Sequence, residues 1–287
     1  MKSNIPAIFV CHMTGIVARA LAAPVPASQT LRLVPNVLLS CFFFAYCFDI
    51  ANQATSVPED KINKPNRPIP SGLMSMNGAY LRWCLSWILG PVILYSWVGN
   101  WAAIHLLWFE SLVFFCYAYP KPSHWFFRNA FSALGYFNIS RLVNACVYQE
   151  IPEWNVHISP DTIVATWTML HIHLQEFHDI EGDRANGRKT IPLTFGPGSH
   201  LMLRNATALC LCSWGFGVLI WSWASDELYH RPVRFCVASL HAISAFLLSF
   251  RTTRLRTRGD DERTYRIYYY IATFTVGIYF ILNSYRY

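Results

Sequence analysis

The apolar run "LVPNVLLSCFFFAYCFDIA", residues 33 to 51, leads directly into the polar stretch "NQATSVPEDKINKPNRPIPSG", residues 52 to 72. A helix that crosses a bilayer needs about 20 mainly apolar residues, and the first stretch is close to that length. The second stretch contains two adjacent acids, Glu59 and Asp60, together with three cations and four prolines. Because acids at membrane depth are costly and usually functional, this junction predicts a polar site at the end of a membrane helix.

The composition supports a membrane protein. Of the 287 residues, 54% are apolar, 16% are aromatic and only 14% are charged, and the mean hydropathy is +0.27. A soluble globular protein normally carries about 25% charged residues. The nine cysteines lie mostly in apolar runs and form no metal-type CxxC pair, so we interpret them as packing thiols. We expect one integral membrane domain over residues 1–287.

Apolar runs long enough to cross a membrane recur along the whole chain. The first is interpreted as a membrane helix and not as a cleaved signal peptide, because many others follow it. The sequence therefore predicts an all-α polytopic protein with about nine transmembrane helices. The nine runs are residues 5–23, 32–51, 77–97, 100–119, 126–148, 160–178, 201–223, 233–250 and 266–285.

Charge alternates between the loops. Lysine and arginine collect on the cytoplasmic side of membrane proteins, and the loops after the second, fourth, sixth and eighth runs hold most of the cations. This pattern places the N-terminus and the polar stretch in the cytosol. It also accounts for the net charge of +7 without a nucleic-acid partner. The cations are Lys61, Lys64, Arg67, Lys121, Arg128, Arg184, Arg188, Lys189, Arg204, Arg251, Arg254, Arg256, Arg258, Arg263 and Arg266.

A second acid-rich segment, "QEFHDIEGDRANGRKTIP" at residues 175 to 192, lies at the cytoplasmic end of the sixth run. Asp179 and Asp183 are four residues apart, so on a continuous helix they project from one face. Like charges at that spacing repel unless a cation lies between them. One alternative is that Arg184, Arg188 and Lys189 only neutralise these acids in a solvated loop. Two acidic clusters on the same membrane face favour a functional site.

The residue types indicate the ligand. Carboxylate and amide oxygens suit a hard cation, and magnesium is typically held by one or two carboxylates together with substrate phosphates. Neighbouring lysines and arginines pair with phosphate oxygens. An apolar bundle beyond them suits a hydrocarbon tail, so the sequence predicts an isoprenyl diphosphate as substrate with Mg2+ as cofactor. No nucleophile triad, zinc spacing, phosphate loop or dinucleotide fingerprint competes with this interpretation.

The two segments resemble the aspartate-rich motifs of the UbiA superfamily of intramembrane prenyltransferases. The first family motif, NxxxDxxxD followed by an IN(K/R)P and RPIPSG tail, matches at Asn52 and Asp60, with Ser56 at the middle position. The second, DxxxD followed by GxK, matches at Asp179, Asp183, Gly187 and Lys189. The resemblance implies a helical bundle around a lipid-open cavity, a farnesyl or geranylgeranyl diphosphate donor and magnesium-dependent loss of diphosphate.

Ser56 is the main departure from the family pattern, because a hydroxyl is a weaker magnesium ligand than a carboxylate. Glu59 is the acid available to compensate. With this substitution, the first motif resembles that of the fungal branch of the superfamily, which includes membrane-bound terpene cyclases. The resemblance also implies the endoplasmic reticulum as the compartment.

The resemblance assigns roles to the charged residues. Asp60, Asp179 and Asp183 are the expected catalytic residues and, with Asn52 and Glu59, the expected magnesium ligands. Lys121, Arg128, Arg188 and Lys189, with Asn52, are the expected contacts to the substrate. Tunnel depth, which the sequence does not supply, sets the length of the prenyl chain.

After ionisation, the allylic cation meets either a double bond in its own chain or a separate acceptor. The first outcome defines a terpene cyclase, which Ser56 favours, and the second defines a prenyltransferase. An acceptor would need polar groups within the bundle. Arg141 has a structural alternative, a pairing with a residue such as Glu110. A transporter or lipid-binding protein would not require both acid clusters. The candidate acceptor groups are Asn138, Arg141, Asn144, His171, His173 and Gln175.

Overall fold

The computed structural model describes residues 5–119, 123–154, 157–224 and 231–284, and the regular structure in these ranges is helical apart from one isolated β-bridge. This confirms the all-α prediction. The helices are α1 (Ile5–Ala22), α2 (Ala27–Thr55), α3 (Val57–Asn63), α4 (Met76–Trp97), α5 (Asn100–Val113), α6 (Trp125–Glu150), α7 (Ile158–His171), α8 (Ile180–Ala185), α9 (Ile191–Phe195), α10 (His200–Ala224), α11 (Arg231–Arg254), α12 (Arg258–Arg263) and α13 (Tyr270–Ser284).

Each predicted apolar run falls on one of the long helices α1, α2, α4, α5, α6, α7, α10, α11 and α13. By length and apolar composition, five segments of the described chain qualify as membrane spans, and Ile8–Ala22 is a shorter apolar helix. The integral membrane fold is therefore supported, and nine crossings remain a prediction. The five segments are Ala27–Thr55, Asn100–Ala118, Pro197–Ala224, Pro232–Arg254 and Arg258–Ser284.

Close helix packing holds the first half of the bundle together. Phe44 of α2 and Phe109 of α5 stack with ring centroids 3.6 Å apart. Gly90 of α4 allows α5 to approach closely, because a Cβ atom there would lie 2.9 Å from the Leu106 side chain. Helix α2 packs against α4, α5 and α6, so it is the central helix of this half. Its C-terminal end, Thr55, is consequently held in a fixed position.

The second half is built around α13. This helix packs against α1, α7 and α11, and α10 pairs with α11. Trp167 of α7 is fully buried at the junction and donates an indole hydrogen bond to Thr273 of α13 over 3.1 Å. Helix α6 joins the halves, because it packs against α2 and α5 on one side and α7 on the other.

Three helices change form on the side of the bundle that bears the acidic segments. Helix α2 stops at Thr55, and α3 restarts after Ser56 with Pro58 in its first turn, where proline lacks only a hydrogen bond that is unmade anyway. Helix α5 continues as a π-helical turn, Phe114–Ala118. Helix α7 tightens into a 3-10 segment, Ile172–Phe177, before α8. Such irregular turns are frequent at functional sites.

Candidate active site

The two acidic segments meet at the side chain of Arg188. Its Nη1 donates to Glu59 Oε1 over 2.8 Å and to Asp183 Oδ1 over 2.9 Å, and its Nη2 pairs with Glu59 Oε2. All three side chains are buried, with exposed fractions of 7% for Arg188, 9% for Glu59 and 1% for Asp183. Glu59 therefore points towards the second segment, a direction that the sequence left undecided. Arg188 bridges one acid from each motif.

Charge around Arg188 stabilises its protonated form. Burial alone would lower the pKa of the guanidinium, but the carboxylates of Glu59 and Asp183 outweigh that effect and raise the pKa above its usual value. Arg128, at the start of α6, adds a second cation, with Nη1 3.4 Å from Asp183 Oδ1. The predicted substrate contacts Arg128 and Arg188 thus lie together.

Asp60 has a different partner. Arg67 donates from Nη1 to both carboxylate oxygens of Asp60, at 2.9 and 2.7 Å, and only 1% of the Asp60 side chain is exposed. Arg67 belongs to the RPIPSG tail of the first motif and was predicted only as a cytoplasmic loop cation, not as a site residue. The spacing of seven residues across a proline-rich turn offered no signal for this contact. Within the first motif, one acid faces inward to Arg188 and its neighbour faces Arg67.

Asn52 is anchored by two hydroxyl groups. Its Oδ1 accepts hydrogen bonds from Tyr117 over 2.6 Å and from Ser56 over 3.1 Å. Ser56, at the position where the family has an acid, is therefore a donor to Asn52. Tyr117 lies in the π-helical turn and packs against Phe131 with centroids 4.7 Å apart. Sequence reasoning missed Tyr117, although it lies four residues before the predicted contact Lys121.

The predicted pair Asp179 and Asp183 spans one helical turn. Asp179 occupies the N-cap position of α8 without a side-chain capping bond, and the Asp183 amide donates to the Asp179 carbonyl over 2.9 Å. The Asp179 carboxylate is partly exposed and lies 3.6 Å from His178 Nε2. Asp183 Oδ2 is buried and has no hydrogen-bond partner among the described residues. The second motif thus retains an open carboxylate oxygen.

The other two predicted substrate contacts are lysines. Lys189 has an exposed side chain, and its backbone pairs with Ser123 and Trp125, beside the start of α6. Two residues earlier, Gly187 adopts a φ of 64°, a left-handed conformation that glycine adopts without strain. Lys121 lies outside the described residues.

Arg141 has a different partner from the one suggested by the sequence. It forms an ion pair with Asp161 of α7 over 3.1 Å, so a structural pairing is present. Its partner there is Asp161 and not the suggested Glu110, whose carboxylate oxygens have no hydrogen-bond partner among the described residues. His171 bonds to the Trp167 carbonyl over 2.8 Å, and His173 bonds to Thr207 over 2.8 Å. The His171 bond lies within α7, whereas His173 joins the 3-10 segment to α10.

The donor set fits a divalent cation at the second motif. No group of three or more His, Cys, Asp or Glu residues at metal-binding spacing occurs within the described ranges. However, the open Asp183 Oδ2 and the partly exposed Asp179 carboxylate are hard oxygen donors on one turn, and Arg128 and Arg188 stand beside them. Carboxylate oxygens flanked by arginines suit magnesium together with a phosphate-containing ligand.

Fold and site together define the class: an all-helical membrane protein in which two acid-rich motifs meet at the buried side chain of Arg188. Comparison with known families then identifies the chain. The model of the UbiA prenyltransferase family matches residues 11–276, so the chain belongs to that family.

Similar proteins include both cyclases and transferases. The chain is 33% identical to diterpene cyclase eriG of Hericium erinaceus, over 79% of this chain and 69% of that protein. It is 34% identical to polyprenyl transferase eriF of the same organism, over 80% and 75% of the two chains. It is 30% identical to somaliensene A/B synthase of Streptomyces somaliensis, over 88% and 81%.

A solved structure supports the fold. The structure, from work on digeranylgeranylglyceryl phosphate synthase in membranes, superposes with a TM-score of 0.56 over 98% of this chain and 95% of that chain. Its sequence identity is 16%, so it bears on architecture alone.

Proposed function

We propose that the protein is a membrane-bound terpene cyclase that ionises an isoprenyl diphosphate and cyclises its hydrocarbon chain. The observation that best supports this proposal is the junction at Arg188, which joins Glu59 and Asp183 across the two motifs over 2.8 and 2.9 Å. A buried site with acids and arginines at one end of an apolar bundle suits a diphosphate group with a hydrocarbon tail.

The cations of the site bind and orient the diphosphate. Arg128, Arg188 and Lys189, with Lys121, donate hydrogen bonds to its oxygens, and charge-assisted bonds of this kind are about twice as strong as neutral ones. The C1–O bond breaks heterolytically, and the electron pair leaves with the diphosphate. Positive groups fixed beside the developing negative charge lower the barrier. An allylic cation remains.

Mg2+ would supply Lewis-acid stabilisation of the leaving group. Asp179 and Asp183 would hold it, and Asp60, Glu59 and Asn52 are the further candidate ligands. Asn52 and Glu59 could act as ligands only after exchanging their present partners, Tyr117, Ser56 and Arg188. Asp183 requires no such exchange at Oδ2.

In a cyclase, the cation is attacked by a double bond of its own chain, and loss of a proton gives a neutral cyclic hydrocarbon. The replacement of the family's middle acid by Ser56 favours this outcome, as does the similarity to eriG. Transfer of the prenyl group to an aromatic or similar acceptor is the second candidate, and the similarity to eriF favours it.

We further propose one domain of nine membrane crossings, with the site open to the cytosol, in the endoplasmic reticulum. The alternation of cations between the loops supports this orientation. The nine long helices are consistent with the count.

The test is to incubate membranes that contain the protein with Mg2+ and geranyl, farnesyl or geranylgeranyl diphosphate, without an acceptor. We expect a cyclic hydrocarbon by gas chromatography and mass spectrometry, and its loss with chelator or with Asp60→Ala, Asp179→Ala or Asp183→Ala. Diphosphate release that requires an aromatic acceptor would establish the transferase instead. Full activity in all three variants would overturn the site.

A further inference from the structure

We infer that the site holds one divalent cation, at Asp179 and Asp183, and that Arg188 supplies the positive charge that a second cation would supply between the motifs. The inference rests on the proposed function, because it takes a diphosphate as the second ligand of the site. The inferred number of cations depends on two residues of this chain, Ser56 in the first motif and Arg188 in the second.

The guanidinium of Arg188 lies between the two motifs, where a divalent metal ion would have to lie in order to bridge them. Its guanidinium contacts Glu59 of the first motif and Asp183 of the second, at 2.8 and 2.9 Å from Nη1. The three side chains are at least nine-tenths buried. Two positive charges repel strongly at such short range where water is excluded. A divalent cation and Arg188 therefore cannot both bridge Glu59 and Asp183.

The first motif has few oxygens left for a metal. Asp60 has both carboxylate oxygens on Arg67, and Glu59 has both on Arg188. The amide oxygen of Asn52 accepts two hydrogen bonds, one of them from Ser56. A carbonyl oxygen has two lone pairs, so these donors use its full capacity. Ser56 thus stands in place of the family's middle acid and also donates a hydrogen bond to Asn52, the other candidate ligand.

The second motif differs because Asp183 keeps a free oxygen. Asp183 Oδ2 is buried in a side chain that is 1% exposed, and it has no hydrogen-bond partner among the described residues. Leaving a buried carboxylate oxygen without a partner is costly, and a bound cation would remove that cost. Asp179 lies one turn before Asp183 and has a partly exposed carboxylate, which is the second oxygen ligand that we assign to the cation.

The experiment counts metal ions independently of turnover. The full-length protein in nanodiscs is equilibrated with Mn2+ and inorganic diphosphate, and bound Mn2+ is measured by equilibrium dialysis and electron paramagnetic resonance. We expect one Mn2+ per wild-type chain. Two ions, or none, would overturn the inference.

Variants test each part of the assignment. Asp183→Asn should abolish Mn2+ binding, whereas Asp60→Asn should retain one ion, and loss of the ion in a folded Asp60→Asn protein would overturn the assignment to the second motif. Arg188→Gln should raise the count from one to two by freeing Glu59. The matched control is Arg184→Gln, which removes an exposed cation nearby and should leave one ion.

If Arg188→Gln folds and still binds one ion, the role given to Arg188 is wrong. If it does not fold, Arg188→Lys keeps the charge and should bind one ion, and two ions in that variant would overturn the inference. Failure of the proposed function would appear separately, as a protein with one bound Mn2+ that releases no diphosphate from any prenyl diphosphate.

Discussion

The two acidic motifs are similar in sequence and different in structure. Each follows an apolar helix and combines acids with nearby cations. In the first, Arg67 and Arg188 occupy the carboxylates of Asp60 and Glu59. In the second, Arg128 and Arg188 both contact the same oxygen of Asp183, and its other oxygen has no hydrogen-bond partner among the described residues. The carboxylates of the first motif are therefore occupied by arginines, one from its own tail and one from the second motif, whereas the second motif keeps an oxygen open to a ligand.

This difference shows why acid count alone does not locate a metal. The negative charge of a buried carboxylate must be balanced, and an arginine side chain can balance it as well as a bound metal ion can. Which of the two does so depends on contacts between segments that are far apart in the chain. Glu59 and Arg188 are 129 residues apart. Three substitutions, ordered from the largest expected effect, test the comparison.

The largest effect is expected at the second motif. Asp183→Asn removes the carboxylate charge at Oδ2 and one partner of Arg188 and Arg128, so diphosphate release should fall on the order of 1,000-fold. Release from farnesyl or geranylgeranyl diphosphate is measured with a coupled phosphate assay. The matched control is Glu181→Gln, in the same short helix, whose exposed ion pair with Arg258 contributes little. If Glu181→Gln loses as much diphosphate release as Asp183→Asn, Asp183 has no special role in the reaction.

At the first motif we expect a loss of stability. Arg67→Gln leaves Asp60 charged, buried and without its bidentate partner, which should cost about 3 kcal/mol of unfolding free energy. The measurement is thermal unfolding in detergent. The double variant Asp60→Asn/Arg67→Gln removes both charges and should recover most of the loss. If the double variant is as unstable as the single one, the ion pair is not what stabilises the first motif.

Sequence patterns were sufficient for the helices and insufficient for the contacts between them. The apolar runs located the nine long helices because burial in lipid or in the bundle requires the same residue types. Asp179 and Asp183 were placed on one turn because that relation is local. The 3-10 segment Ile172–Phe177 lacks proline and glycine, so nothing in the sequence marked it. The direction of Glu59, the pairing of Asp60 with Arg67 and the Arg141–Asp161 pair depend on packing over long separations.

The smallest expected effect concerns Asn52, which the first motif holds through hydroxyl groups. Tyr117→Phe removes the 2.6 Å hydrogen bond to Asn52 Oδ1 and leaves the ring packed against Phe131. One such bond contributes about 1 kcal/mol, so kcat/KM should fall about five-fold. Tyr119→Phe is the matched control, since that tyrosine is exposed and lies two residues away. If Asn52 must leave its two donors to bind a metal, Tyr117→Phe would instead lower the Mg2+ concentration needed for half-maximal activity. A Mg2+ titration of wild type and both variants therefore decides whether Asn52 keeps its two hydrogen bonds during catalysis or exchanges them to become a Mg2+ ligand.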